Sequence, residues 1–355
     1  MPAHLLLPAF DEMVAAFERR DASYDGLFYT GVRTTGIFCR PTCRAKKPKR
    51  ENLEFFASAR DALFSGYRPC KRCRPMQPAH EPPPWLGDVL ALTGDGPDGR
   101  VRDADLRRMG LDPGRVRRWF QREHGMTFHA WDRARRLGRA LEAMRKGESV
   151  SGAAFGNGFD SLSGFTDAFA RFAGTTPGRS NHVEPVSVRR LASPIGPLVA
   201  AATDQALVLL EFADRRMLEK QMRTIAKRVS GALVPQTNAV LDRVERELEA
   251  YFAGDLRAFT VPLHVPGTPF QEAVWKVLLA IPYGETRSYR DQARAMGNAA
   301  AVRAVARANG DNRIAIIIPC HRVVGADGKL TGYGGGLWRK KHLLTLEQRV
   351  AGLTG

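Results

Sequence analysis

The chain has 355 residues, 44% of them hydrophobic, and Lys plus Arg outnumber Asp plus Glu by 54 to 37, a net charge of +17. Such a composition is globular and excludes a disordered chain. The longest apolar run, Ile314–Ile318, stops at Pro319, far short of the about 18 residues a membrane span needs. So large a charge points to a nucleic acid or an anionic surface as partner, and its spread along the chain favours several weakly basic surfaces over one basic arm. Met1-Pro2-Ala3-His4 opens without a basic segment of the export type, so the chain reads as cytosolic.

In chain order, the first 80 residues hold Cys39-x3-Cys43 and Cys70-x2-Cys73. Two close pairs bracketing a short segment predict a tetrahedral zinc site with four thiolate ligands. A segment with so few large apolar residues gains much of its stability from such a metal. A purely stabilising metal is the ordinary role of an all-cysteine site. Four thiolates on one zinc also leave electron-rich, nucleophilic sulfurs. The neighbours Arg40, Arg44, Lys46, Lys47, Lys71, Arg72 and Arg74 would draw a polyanion to them. Spacing does not say which thiolate would react.

The proline-rich stretch Pro75–Pro84 marks a boundary near residue 80. Helices follow near 86–94, 103–109, 113–123, 127–146, 150–157 and 161–172. Asp112 is placed to cap a helix that begins at Pro113. Two helix-turn-helix units emerge, joined by a long Arg-rich helix, and a second boundary falls near 185. Beyond it, Val186–Leu191, Leu198–Ala202 and Leu207–Phe212 read as strands, and Met217–Arg228 and Leu241–Ala253 as helices. From Pro269 the chain is mostly helical. Cys320 follows the apolar run 314–318. A lone buried cysteine is usually an inert small hydrophobe. His321 beside it can instead make it a nucleophile. Neighbours on a strand face opposite ways, so a bridging water would have to link them, with Glu347 or another carboxylate orienting His321.

Three stretches resemble known families. Phe28-Tyr29-x2-Val32-Arg33-Thr34-Thr35-Gly36-Ile37-Phe38-Cys39-Arg40-Pro41-x-Cys43-Arg44, with Gly66-Tyr67-Arg68-Pro69-Cys70-Lys71-Arg72-Cys73, is similar to the zinc domain of the Ada family. The resemblance implies methyl transfer from a DNA methylphosphotriester to Cys39, with Arg33, Arg44 and Arg72 contacting DNA. Methylating Cys39 removes a negative charge beside DNA phosphates, which would tighten binding. Gly158-Phe159-x2-Leu162-Ser163-x-Phe165-x3-Phe169-x2-Phe172 resembles the AraC-type DNA-binding domain. It implies Phe159, Phe165, Phe169 and Phe172 as core, with Leu162, Ser163, Thr166 and Asp167 facing the groove. In the first unit Arg115, Arg117 and Arg118 are the expected DNA contacts.

Pro319-Cys320-His321-Arg322-Val323 resembles the signature of O6-alkylguanine-DNA alkyltransferases, with Tyr283-Gly284-Glu285-Thr286-x-Ser288-Tyr289, Asn312, Gly332-Tyr333-x-Gly335-Gly336 and Lys340 at matching spacing. The resemblance implies that Cys320 accepts the alkyl group, His321 takes its proton through water, Glu347 orients His321, and Asn312 braces the turn. It implies Tyr289, Arg303, Arg322 and Tyr333 at DNA, with Arg303 filling the stack that a flipped base leaves. Asp311 is expected to weaken DNA binding slightly. Arg313, where most relatives have proline, predicts a less rigid turn. Gly334 leaves one hydrogen bond to the base absent or supplied by backbone.

The expected fold is multidomain α+β: a zinc α+β domain (1–80), an all-α double helix-turn-helix domain (84–182), and a methyltransferase with a sheet-bearing, ribonuclease-H-like half (186–265) and a winged-helix-like catalytic half (266–352). The expected function is single-turnover repair of O6-methylguanine and O4-methylthymine at Cys320 and of methylphosphotriesters at Cys39. Once self-methylated, the protein would activate transcription. Zinc is the only cofactor expected, with no methyl-donor cofactor. The expected partners are alkylated and promoter duplex DNA and RNA polymerase, for a monomer in the bacterial cytosol that touches no membrane. Two other readings are repair at Cys320 alone, with the front half as a DNA clamp, and a non-enzymatic transcription factor.

Overall fold

The computed structural model describes residues 7–76, 82–94, 100–124, 126–215, 217–229 and 231–353. Met1–His4 and the centre of the proline-rich stretch, with the boundary near residue 80, lie outside the described residues. The chain divides into two compact units, 1–83 and 84–355.

In the first unit, α1 (Phe10–Arg19) buries Met13, Val14, Ala16 and Phe17, the i, i+3, i+4 stripe of an amphipathic helix. A four-stranded sheet follows: β1 (Tyr29–Val32), β2 (Ile37–Cys39), β3 (Leu53–Phe56) and β4 (Arg68–Pro69), in the order β3-β1-β2-β4. The short helix α2 (Ala59–Phe64), capped by Ser58, precedes β4. Gly31 in β1 is required by packing, because a Cβ there would sit 2.8 Å from both the Phe56 and Tyr67 rings. β2 and β4 run parallel, and the Cys70 N–H donates to the Phe38 carbonyl at 3.0 Å. That pairing brings the two cysteine pairs together.

The second unit begins with α3 (Leu86–Ala91), α4 (Asp103–Arg108), α5 (Pro113–His124), α6 (Phe128–Arg145), α7 (Val150–Phe155) and α8 (Leu162–Ala173). Asp112 caps α5 as expected, accepting from the Gly114 and Arg115 N–H groups at 2.9 and 3.1 Å. Phe165 and Phe169 are fully buried, with Phe159 and Phe172 packed against the same cluster. The sheet comprises β5 (Glu184–Leu191), β6 (Leu198–Ala202), β7 (Leu207–Phe212) and β8 (Gly231–Val234), ordered β7-β6-β5-β8, with α9 (Leu218–Arg228) between β7 and β8. The sequence reading missed β8, whose four residues are too short to show a period. Helix α10 (Ala239–Ala253) covers part of one face of the sheet. The remainder is α11 (Pro269–Leu279), β9 (Arg287–Ser288), α12 (Tyr289–Ala295), α13 (Val302–Gly310), β10 (Val323–Val324) and α14 (Leu337–Ala351). The architecture is mixed α and β in several domains.

The strand geometry assumed for Cys320 and His321 is corrected, because the chain turns before and at them. A single bridge joins Ile314 to Leu210. Ile316 then sits at φ 70°, inside a tight turn closed by the Ile317 N–H to the Ala315 carbonyl, a strained geometry for a β-branched residue. Cys320–Arg322 is a turn of 3-10 helix. The argument that strand neighbours face opposite ways therefore does not apply to Cys320 and His321.

Candidate functional site

In the first unit Cys39 ends β2, Cys43 lies in the following turn, and Cys70 and Cys73 follow β4. The four sulfurs all lie within 4.8 Å of one another, and those of Cys43 and Cys70 are 3.9 Å apart. A tetrahedron with zinc–sulfur bonds near 2.3 Å has sulfurs about 3.8 Å apart, so the donor set fits zinc. The Arg40 N–H reaches the Cys73 sulfur at 3.4 Å. Cys39 is 5% exposed, and Cys73 is the most open of the four. Arg33, Arg44 and Arg72 are exposed, Arg33 lying 3.7 Å from Glu54. Arg40 is buried, 3.5 Å from Asp25. Lys47 lies over the Phe17 ring, and burial, with Arg20 nearby, lowers its ammonium to about 8.

The second centre is built on a turn that one side chain organises. Asn312 Nδ2 donates to the Ile318 carbonyl at 2.9 Å, the Ile314 carbonyl at 3.3 Å and the Cys320 sulfur at 3.2 Å. Its Oδ1 accepts from the Ile314 N–H at 3.0 Å. Burial raises the Cys320 thiol, and the Asn312 contact opposes that. Asn312→Ala should therefore slow alkyl transfer about 10- to 100-fold, the worth of a hydrogen bond to a charged group. Single-turnover kinetics with labelled DNA check this, and a rate within twofold of wild type would refute it.

The residue after the thiol, His321, belongs to a buried polar cluster. His321 Nε2 donates to Glu347 Oε1 at 2.8 Å, and both side chains are fully buried. Arg322 grips the same carboxylate at 2.8 and 3.0 Å, Tyr251 donates to it at 2.7 Å, and the Gly284 N–H at 3.1 Å. Burial pushes His321 down, which keeps it neutral. With Nε2 as donor, Nδ1 is the basic nitrogen, and it is buried with no protein partner. Burial acts to raise the Glu347 carboxyl, but the hydrogen bonds from His321 and Arg322 prevail and hold it well below the carboxylate range.

Arg322 corrects a second expectation. It is 8% exposed and also donates to the Ile281 carbonyl at 2.6 Å, so its guanidinium is committed to Glu347 and not to DNA. Arg313 departs from the flexible turn expected of it. It is buried, donates to the Pro266 carbonyl at 2.7 Å and lies over Trp275, which pins the turn from outside. Asp311 accepts from Gln271 at 3.0 Å. A Cβ on Gly334 would meet the Arg215 guanidinium at 2.5 Å, so an arginine fills the space a side chain would need. Sequence reading missed Arg215, which pairs with the buried Glu211 and donates to the Asn312 carbonyl at 3.3 Å. It also missed Tyr251, 96 residues from its partner Glu347. No local pattern signals either contact.

Tyr289 donates to the Gly332 carbonyl at 3.2 Å, and the Tyr333 hydroxyl is buried without a partner. Lys340 is fully buried, donates to the Val323 and Thr331 carbonyls, and is lowered to about 8 by burial. Arg303 is exposed on α13. On α5, Arg115, Arg117 and Arg118 are exposed while Val116, Trp119 and Phe120 are buried. On α8, Leu162, Ser163 and Asp167 are exposed, and Thr166 is half-buried.

Four family models match in order: the metal binding domain of Ada over residues 12–76, a helix-turn-helix domain over 106–181, and the ribonuclease-like and DNA binding domains of 6-O-methylguanine DNA methyltransferase over 188–265 and 269–349. The regulatory protein Ada of Salmonella typhimurium is 37% identical over 95% of this chain and 96% of its own. The bifunctional transcriptional activator/DNA repair enzyme Ada of Escherichia coli is 38% identical over 92% of this chain and 93% of its own. A methylated-DNA–protein-cysteine methyltransferase of Mycobacterium bovis is 50% identical over 47% of this chain and 94% of its own. Four sulfurs gathered at one centre, a fifth backed by a buried His–Glu pair, and relatives matched from end to end place the chain in the Ada family.

Proposed function

We propose that this protein is a bifunctional DNA alkylation repair methyltransferase and transcriptional activator. The observation that carries this reading is Cys320 on an Asn312-braced turn, with the neutral His321 and its Glu347 partner buried behind it. The thiol proton passes through one water to His321 Nδ1. The sulfur then attacks the methyl carbon of O6-methylguanine in line. The carbon–sulfur bond forms as the carbon–oxygen bond breaks, and the electron pair stays on guanine, which is reprotonated from water. The imidazolium is stabilised by the Glu347 carboxylate. A thioether does not hydrolyse, so each site acts once. Arg303 fills the stack behind the flipped base, while Tyr289 and Tyr333 line the pocket. O4-methylthymine is a second substrate of the same site.

When bound, zinc keeps the four cysteine sulfurs as thiolates. Cys39 accepts a methyl group from a methylphosphotriester, while Arg33, Arg44 and Arg72 hold the DNA backbone. Arg115, Arg117, Arg118, Leu162, Ser163 and Thr166 read promoter DNA, and RNA polymerase is the partner of the activator. The functional divisions are 1–80, 84–182, 186–265 and 266–352. The protein works as a monomer in the cytosol, and no helix among the described residues is long and apolar enough to cross a membrane. The low exposure of Cys39 favours one other reading, repair at Cys320 alone with the zinc centre as a staple. The test treats zinc-loaded protein with DNA methylated with label on guanine oxygen and on phosphate. Label on both Cys39 and Cys320 is expected. Label on Cys320 alone selects the second reading, and label on neither overturns both.

A further inference from the structure

Edge strand β8 is covered on both sides by different parts of the second unit. Leu233 packs with Val186, Met222 and Ile225, within the sheet-bearing half. Ala232 instead belongs to the core of the helical segment, in one cluster with Leu137, Leu141, Phe165, Phe169 and Val183. The helix backbone comes very close at this point, since a Cβ on Gly138 of α6 would lie 2.3 Å from the Val234 side chain. An independent contact lies on α5, where Glu123 meets Arg190 of β5 at 2.8 Å, the two side chains 7% and 15% exposed. Beside it His124 is pushed down to about 4 by burial and by the Arg190 charge. Val183, at the expected boundary, is 1% exposed, and β5 begins at the next residue.

Domains in one chain move against each other by default, unless their interface is large and apolar. Here one hydrophobic core crosses the boundary, an ion pair is buried across it, and little chain is left to act as a hinge. We propose that the helix-turn-helix segment and the methyltransferase form one rigid body joined through β8, presenting the recognition helices and Cys320 to DNA in a fixed mutual geometry and not on a flexible tether.

Calorimetry of the full zinc-loaded chain tests this, with two variants outside both reactive centres. Gly138→Trp wedges α6 off Val234, and Glu123→Lys places like charges together at Arg190. Residues 84–353 of the wild type should melt in a single transition. At least one variant should split it into two, while transfer from free O6-benzylguanine to Cys320 stays within about twofold of wild type. On long duplex DNA carrying O6-methylguanine, that variant should react at least about threefold more slowly, because a loosened helical segment no longer raises the local concentration of lesion at Cys320. Two transitions in the wild type, unsplit melting in both variants, or unchanged duplex rates would each overturn the proposal. Failure of the wild type to take methyl from O6-methylguanine in duplex DNA onto Cys320 would instead strike the repair reading itself.

Discussion

Glu347→Gln is expected to cost about 3–5 kcal/mol of stability and about 100-fold in alkyl transfer at Cys320. The carboxylate accepts from His321, Arg322, Tyr251 and the Gly284 backbone at once. An amide can accept at one atom only, so Arg322 would be left as a buried cation without its counter-charge. Denaturant melts and single-turnover kinetics check the two effects separately. Acid should mimic the change. The folded Glu347 carboxyl is held below its unfolded value, so it contributes stability above the ordinary carboxylate range and loses it as pH falls through the folded value. Wild type should lose stability more steeply than the Gln variant as pH falls below about 4. Parallel curves would show that Glu347 is not the coupled group.

Removing the metal is expected to unfold the first unit and leave the other centre working. The N-terminal core is thin: Val14, Phe17 and Leu53 pack directly with cysteines of the cluster, and Phe38, Phe56, Ala62 and Tyr67 form a separate small group. Structural zinc contributes about 10–16 kcal/mol in small domains of this kind, more than the whole stability of most domains. Cys43→Ser, at the most buried of the four ligands, should release the metal to a colorimetric chelator and abolish the folded signal of residues 7–76. Transfer of a benzyl group to Cys320 should stay within about twofold, since that centre lies in a separate unit. A folded, metal-free first unit would contradict this.

The helices and three of the strands of the second unit, and all five cysteine positions, were legible because each follows a local rule, while α1 and α2 of the first unit were not read. Asp112-Pro113 sets a helix start, a short apolar run between turn residues sets a strand, and close cysteine pairs set a metal site. What stayed hidden was non-local. Arg322 looks like a DNA-binding arginine until Glu347 folds back on it from 25 residues away. The run 314–318 shows in the sequence only as a short apolar stretch, with nothing to reveal its turn. Asn312 claims its polar groups, and the backbone accepts a left-handed isoleucine at 316. Strand β8 was missed because its four residues are too short to show a period and because Ala232 is buried among residues of the much earlier helical segment.

The close gathering of sulfurs in the first unit has a cost outside alkylation chemistry. Thiols within 4.8 Å of one another are nearly placed for disulfide exchange, and thiolates are the reactive form. Stripped of metal in an oxidising medium, the cluster would close into covalent pairs and lose its acceptor before any damaged phosphate arrived. Two hazards therefore compete for the same sulfur, and the first unit can serve as a methyl sink only where the surroundings stay reducing and zinc is at hand.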